Sequence, residues 1–380
     1  MKKNLILLAM ALCCSGAAFA QTMPENSDDR VAIYRTMQNV RNVLNIPDIP
    51  GYLTLKCDFH LHTVFADAQV SPAGRVQESW YDGLDVIAMT EHVGVHKNKG
   101  IHLEDQNLPY ELAAAEARKL GMMVIHGAEI TRAKPFGHMN ALFINDCSVF
   151  SQERYYLDKD GKVLYDKETG RALNNEETLK ADFAAAEAQG AFILWNHPGW
   201  PDKVSTMFPL HKQLIEEHRI HAVELCNHNE WYPKVLDWFD EYHLPMMANS
   251  DQHKPFAVEY GHTMRPMTLV FAKEYTEASL KEAMFAGRML AFFDNTLAGD
   301  EQLMKDFVHS CLKVKVIDAK KGTIEVSNIS DIQFDTMYGS HMNPVVLWPH
   351  GAIIMTVKKG QEIEFQNCYT GRKTLKMNLW

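Results

Sequence analysis

The stretch Asp58-Phe59-His60-Leu61-His62-Thr63 ends an apolar run, Tyr52 to Cys57, that reads as a β-strand. Side chains on an extended chain alternate with a period of two, so the two imidazoles point the same way at the mouth of a sheet. Together they can grip one metal ion, although a His-x-His pair is by itself a common arrangement without a ligand. The pair gains weight because later strand ends carry histidine, glutamate or aspartate as well.

Working outward, short apolar strands are predicted at 53–57, 85–89, 122–126, 192–195, 222–226, 245–248 and 267–271. Helical stretches lie between them, at 110–120 closed by Gly121, at 176–189 closed by Gly190 and at 276–286 closed by Gly287. Asn174 and Glu177 make a capping pair for the second of these. Alternation of this kind predicts parallel strands with helical crossovers, and about seven units over roughly 240 residues suit a barrel better than an open sheet. Residues 151–173 break the rhythm. There Asp160-Gly161 lies between Tyr155-Tyr156-Leu157 and Val163-Leu164-Tyr165, which predicts a hairpin insertion. Its glycine comes too early for a calcium loop, so Asp158 to Gly161 reads as a turn. After His309 only short strands joined by polar turns remain, which predicts a small all-β, sandwich-like domain at 309–380.

Met1-Lys2-Lys3, an apolar run from Leu5 to Cys14 and Ala18-Phe19-Ala20 together read as a secretory leader cleaved after Ala20, hence a periplasmic or secreted protein. The apolar run is too short to span a bilayer, so no membrane span is expected. Leu12 and Cys13 are poor contexts for lipid attachment at Cys13 or Cys14, and anchoring is not expected. Residues 21–50 form an N-terminal arm ahead of a catalytic unit at 51–308. Cys57, Cys147, Cys226, Cys311 and Cys368 are odd in number and irregularly spaced, which predicts buried free thiols rather than a disulfide framework. A net charge of -10 and the lack of a Lys/Arg stripe exclude extended nucleic acid as a partner.

The remaining strand ends read Thr90-Glu91-His92, Gly127-Ala128-Glu129 with Gly137-His138 in the loop behind it, Asn196-His197-Pro198 and Ser250-Asp251-Gln252-His253. In a parallel barrel these ends open on one face, where catalytic groups gather. With Asp67 there are nine donors, six imidazoles and three carboxylates, a set suited to Zn, Mn or Fe. Nine donors are too many for one ion and predict two or three divalent ions.

This pattern resembles the PHP superfamily, named for polymerase and histidinol phosphatase domains. The motifs are HLHT at 60–63, TEH at 90–92, GAE at 127–129, GHMN at 137–140, NHP at 196–198 and SDQH at 250–253, and the resemblance covers about 53–296. Glu91 stands where the family commonly has Asp, at a position not expected to bind metal. The resemblance implies a distorted seven-stranded (β/α)7 barrel and a trinuclear site. His60, His62, Glu129 and Asp251 would hold the first metal; Glu129, as a bridge, with His138 and His197 the second; Asp67, His92 and His253 the third. The implied activity is hydrolysis of a small phosphorylated substrate by a metal-bridging hydroxide, with Glu129 central to catalysis.

Around the cluster, Arg132 and Lys134 are candidates for binding phosphate and His228, beside Asn229, for protonating the leaving group. Weaker candidates are Arg265 and His262; His96 and His102 are placed to cover the site, and Trp200 to stack on a substrate ring. The other histidines, His211 among them, are expected on helix surfaces and loops. An amidohydrolase-like C–N or lactone hydrolase also begins with His-x-His, but would call for different residues where His197 and Glu224 stand. A non-catalytic, metal-stabilised glycan-binding protein is the alternative from another class.

Overall fold

The computed structural model describes residues 41–101, 103–261, 264–339 and 343–380. The leader with Cys13, Cys14 and Ala20, most of the N-terminal arm, His102, His262 and His341 lie outside the described residues. The strands are β1 (Leu53–Asp58), β2 (Val86–Met89), β3 (Met123–Thr131), β4 (His138–Leu142), β5 (Phe192–Trp195), β6 (Ala222–Asn227), β7 (Glu230–Trp231), β8 (Met246–Asn249) and β9 (Met267–Ala272). They continue with β10 (Met289–Phe293), β11 (Thr296–Gly299), β12 (Leu312–Asp318), β13 (Thr323–Asn328), β14 (Phe334–Met337), β15 (Val345–Leu347), β16 (Ala352–Thr356), β17 (Glu362–Thr370) and β18 (Lys373–Asn378). The helices are α1 (Pro72–Tyr81), α2 (Leu108–Leu120), α3 (Glu176–Ala188), α4 (Pro209–Glu216), α5 (Lys234–Tyr242), α6 (Phe256–Glu259), α7 (Glu277–Phe285) and α8 (Glu301–Cys311).

One large mixed sheet carries the site, in the order β9-β1-β2-β3-β4-β5-β6 with β8 beside β6. Its inner side is filled by Leu55, Val86, Ile125, Leu194 and Met247. The all-parallel expectation holds for β1–β2, β2–β3, β5–β6 and β6–β8. It fails at β9, antiparallel to β1, and at β4, antiparallel to both β3 and β5. The loop from 132 to 137 is too short for a crossover, so the chain must turn straight back on β3. That loop closes with Arg132 N donating to Gly137 O at 3.2 Å. Strand β3 is also longer than expected, because Gly127 lets β2 and β4 approach from both sides. A Cβ there would stand 3.1 Å from both Met89 O and Ala141 O. Glu129 therefore sits within a strand and not past its end.

No ladder joins β8 to β9 among the described residues, and a side chain spans the gap instead. The Thr268 hydroxyl accepts from Ala248 N at 3.1 Å and donates to Ala248 O at 2.9 Å. Beyond the curl, β12-β13-β16 form a separate three-stranded sheet. The other C-terminal strands extend the large sheet, since β17 pairs in parallel with β11 through Leu297↔Cys368 and Ala298↔Tyr369.

The insertion after β4 is more than the expected hairpin. It folds back twice, at a turn where Asp158 Oδ1 accepts from Asp160 N and Lys162 N, and again where Gly170 N donates to Asp166 O. The cap of α3 is Asn175, whose side chain accepts from Glu177 N and Thr178 N. Asn174 instead brackets Ala133, accepting from its N at 2.9 Å and donating to its O at 2.7 Å. His211 is not on a helix surface but buried, its Nε2 2.7 Å from Phe136 O and its ring against Trp195. All five described cysteines are buried and free. Among the described residues no helix is long and apolar enough to cross a membrane.

The Thr268 bridge predicts that Thr268→Val, which keeps shape and removes the hydroxyl, lowers unfolding free energy by about 1–3 kcal/mol. Urea unfolding read by fluorescence measures this, and an unchanged midpoint would deny the seam its role.

Candidate metal centre

Strand ends deliver the donors, and hydrogen bonds between neighbouring ends fix them. Just past β1, Leu61 pairs with Gln252 in an isolated bridge and Leu61 N donates to Thr90 Oγ1 at 3.0 Å. The buried Glu91 carboxylate accepts from Thr63 N and from the Thr63 hydroxyl, locking the turn that carries His60 and His62. His197 and Asp251 adopt positive φ, 23° and 48°, a conformation that costs a non-glycine residue about 1–3 kcal/mol. His197 is held in it by its backbone N–H, which donates to Glu224 Oε2 at 2.7 Å.

All nine expected donors meet. Four sets lie with their ligand atoms mutually within 4.8 Å: His62, Asp67, His92 and His253; His60, Glu129 and His197; His60, His62 and Asp251; and His92, Glu129 and His138. Glu129 is the hub. Its Oε1 stands 3.3 Å from His60 Nε2, 3.1 Å from His138 Nδ1 and 3.6 Å from His197 Nε2, and its Oε2 touches His92 Nδ1. Asp251 Oδ1 lies 3.0 Å from His62 Nε2 and 3.3 Å from His60 Nε2. Asp67 Oδ1 lies 3.1 Å from His253 Nε2 and 3.4 Å from His92 Nε2. Three sets cross the expected division, because His62 reaches the Asp67 set, His92 reaches Glu129 and His138, and His60 joins Glu129 and His197.

These residues fit divalent ions. Buried Asp67 Oδ1 and Asp251 Oδ1 make no hydrogen bond despite imidazole nitrogens nearby, and His62 Nδ1 and His197 Nδ1 are also unpaired. Two ligands bound ~2.1 Å from one ion stand about 3.0–3.4 Å apart, so the spacings of His60 and His138 to Glu129, of His60 and His62 to Asp251 and of His92 and His253 to Asp67 suit atoms aimed at a shared third point. Charge follows the same geometry. Burial opposes ionisation of Glu129, yet His138 and His92 hold its carboxyl well below the usual range. Burial opposes Asp251 too, and His60 and His62 hold it down. Burial, with His92 and His253 alongside, pushes His62 down to about 3, which keeps it in the neutral form that binds metal.

A cavity of about 480 Å³ opens over the cluster, lined by Asp67, His92, His138, His197, Asp251 and His253 on one side and by Arg154, Tyr155, Trp200 and His228 elsewhere. A two-domain protein from Bacteroides vulgatus that contains a predicted PHP-like metal-dependent phosphoesterase shares this architecture. It is 32% identical, with a TM-score of 0.77, over 89% of this chain and 98% of that one. The chain belongs to the PHP superfamily. As a PHP-like protein it is a metal-dependent hydrolase. Two other solved structures match about half of the chain at 16% identity. One, from Bifidobacterium adolescentis, carries the description of a metal-dependent phosphoesterase (TM-score 0.37, 52% of this chain and 87% of that one); the other is an amidohydrolase from Chromobacterium violaceum (0.39, 54% and 90%). No protein-family model and no curated protein matches the chain.

Around this PHP cluster the expected substrate contacts divide. Arg132 is a correction: its guanidinium is buried, paired with Asp182 and donating to Thr131 O, so it braces the β3–β4 turn. Lys134 is likewise committed, its Nζ 2.9 Å from Pro198 O, and burial lowers its pKa. Arg265 is buried against Asp58 and Ser250 beneath the site. His228 does line the cavity, with Nε2 3.5 Å from Glu259 Oε1. Trp200 is half-exposed and meets His138 and His197 edge-on at 5.3 Å. His96 binds Phe65 O at 3.0 Å, away from the donors.

Sequence reading passed over Glu224 as a functional residue. Fully buried, it takes His60 Nδ1 at 2.9 Å, Asn227 Nδ2 at 2.8 Å and Asn249 Nδ2 at 3.1 Å. Accepting the His60 Nδ1 proton leaves Nε2 with its lone pair turned toward Glu129, and such outer partners are worth about 10–100-fold in metal affinity. Glu224→Gln is expected to weaken Mn or Zn binding by about that factor, measured by chelator competition, with thermal unfolding checked alongside. Unaltered affinity would remove Glu224 from the site.

Proposed function

We propose that this protein is an exported phosphoesterase working with two or three divalent cations, of Zn, Mn or Fe type. The observation that carries the reading is the convergence of nine donors, Glu129 among them, in four overlapping sets, with the buried oxygens Asp67 Oδ1 and Asp251 Oδ1 left without hydrogen bonds. His60, His62, Glu129 and Asp251 would hold one cation, Glu129 with His138 and His197 a second, and Asp67, His92 and His253 a third. When bound, such cations activate water and neutralise phosphoryl charge.

The chain's own groups supply the rest. Glu129 presents two oxygens to separate sets and so fixes the spacing across the cluster. His228, on the cavity wall with Glu259 behind it, is placed to give a proton to a leaving oxygen. Trp200 offers an exposed indole face beside His197 for the organic part of the ester. Residues 51–308 form the catalytic unit in this reading and 309–380 a second, β-rich domain. The leader-like first twenty residues support export.

The test is turnover of p-nitrophenyl phosphate and bis-p-nitrophenyl phosphate by protein loaded with Mn or Zn. Glu129→Gln should cut activity by about a hundredfold or more and lower metal content per chain. A variant that stays active and fully metallated would contradict the reading.

A further inference from the structure

We infer that Arg154, carried by the insertion at 151–174, takes the outward oxygens of a phosphomonoester and so makes the site prefer monoesters to diesters. The inference rests on the phosphoesterase reading and deepens it.

Among the described residues, two lysine or arginine side chains line the cavity over the donor cluster, Lys97 and Arg154. Lys97 is already bound to Asp67 Oδ2 at 2.8 Å. Arg154 has no carboxylate within 4.0 Å among the described residues; its guanidinium meets its neighbour Tyr155, over the ring at 4.8 Å and at the hydroxyl at 3.5 Å. Other arginines in this part of the fold are all committed: Arg75 to Glu78, Arg132 to Asp182, Arg171 to Asp202 and Arg265 to Asp58. A half-buried arginine without a carboxylate partner, on the wall of a cavity it shares with the donor cluster, is matched to an anion that enters from solvent.

The placement of Arg154 is built rather than incidental. Its carbonyl accepts from Asn175 N at 2.9 Å, and Tyr155 bridges Asn174. Its stem lies against Gly94, in the loop that follows His92. A Cβ on Gly94 would stand 2.7 Å from Gln152 O and 3.1 Å from Arg154 Cδ, and its φ of 74° favours glycine. The insertion is thus pressed onto the loop behind a cluster donor, with Arg154 on the cavity wall.

The substrate class follows from counting oxygens. A phosphomonoester offers three non-bridging oxygens and up to two negative charges; a diester offers two and one. With one side of the phosphoryl group turned to the donor cluster, a monoester still presents an oxygen to Arg154. A diester presents its second alkyl or aryl group there, against a charged wall.

The experiment uses the metal-loaded full chain, with Arg154→Ala and Arg154→Lys. Kinetics on p-nitrophenyl phosphate and bis-p-nitrophenyl phosphate are read with calorimetric binding of inorganic phosphate and metal content per chain. Arg154→Ala should raise KM for the monoester and weaken phosphate by about ten- to a hundredfold, with diester kinetics and metal content little changed and the lysine variant intermediate. Equal losses on both esters, unaltered phosphate binding, or a loss that tracks missing metal would overturn the assignment and leave the phosphoesterase reading standing, as would a native protein that cleaves only the diester. A native protein that cleaves neither ester and binds no phosphate would overturn both.

Discussion

A fully buried carboxylate surrounded by imidazoles organises this molecule. Glu129 lies fully buried inside β3 with four histidines against its two oxygens, and protein groups rather than bulk water must satisfy its polarity. Burying so many polar atoms is costly unless each is held and occupied. The surrounding structure does the holding. Glu224 fixes His60 and the His197 backbone, Thr131 Oγ1 sits 2.8 Å from His92 Nδ1, and Asn196 Nδ2 donates to Glu129 Oε1 at 2.8 Å. What the protein leaves without a hydrogen bond are Asp67 Oδ1 and Asp251 Oδ1, oxygens that cations would take.

Below that layer, charged pairs replace apolar packing. Arg265 joins Asp58 to Asp82, while Arg75 joins the His62 carbonyl to Gln252 O and Lys254 O. Both tie the end of β1 to the loop carrying Asp251 and His253. These bonds hold His62 and Asp251 in register.

All the donors but Asp67 were legible in the sequence because each sits at or next to a strand end within a short motif, and strand ends on one face of a sheet converge whatever the details of the curl. His138 was read as a loop residue, and its strand was missed for a physical reason. Met139 and Ala141 pack outward against helices while His138 and Asn140 face inward, so the segment lacks a run of apolar residues. Arg132 was misplaced because following Glu129 in sequence says nothing about which face a turn presents. Arg154 had no signal at all, since a polar insertion read alone gives no hint of the cavity it overhangs. Pairing between β11 and β17 was equally hidden, as partners that far apart in sequence share no local pattern.

That last pairing has a consequence for how the chain can be divided. Strand β17 covers the outer edge of β11, and beyond it Arg372 clasps Asp237 on α5 while its amide donates to Asp240 Oδ2 at 3.0 Å. Shortening the polypeptide to end before β12 would strip this cover and leave β11 with a bare row of amides and carbonyls, the kind of surface that recruits strands from other molecules. The tail thus acts as a selvedge, keeping the woven sheet from unravelling into its neighbours.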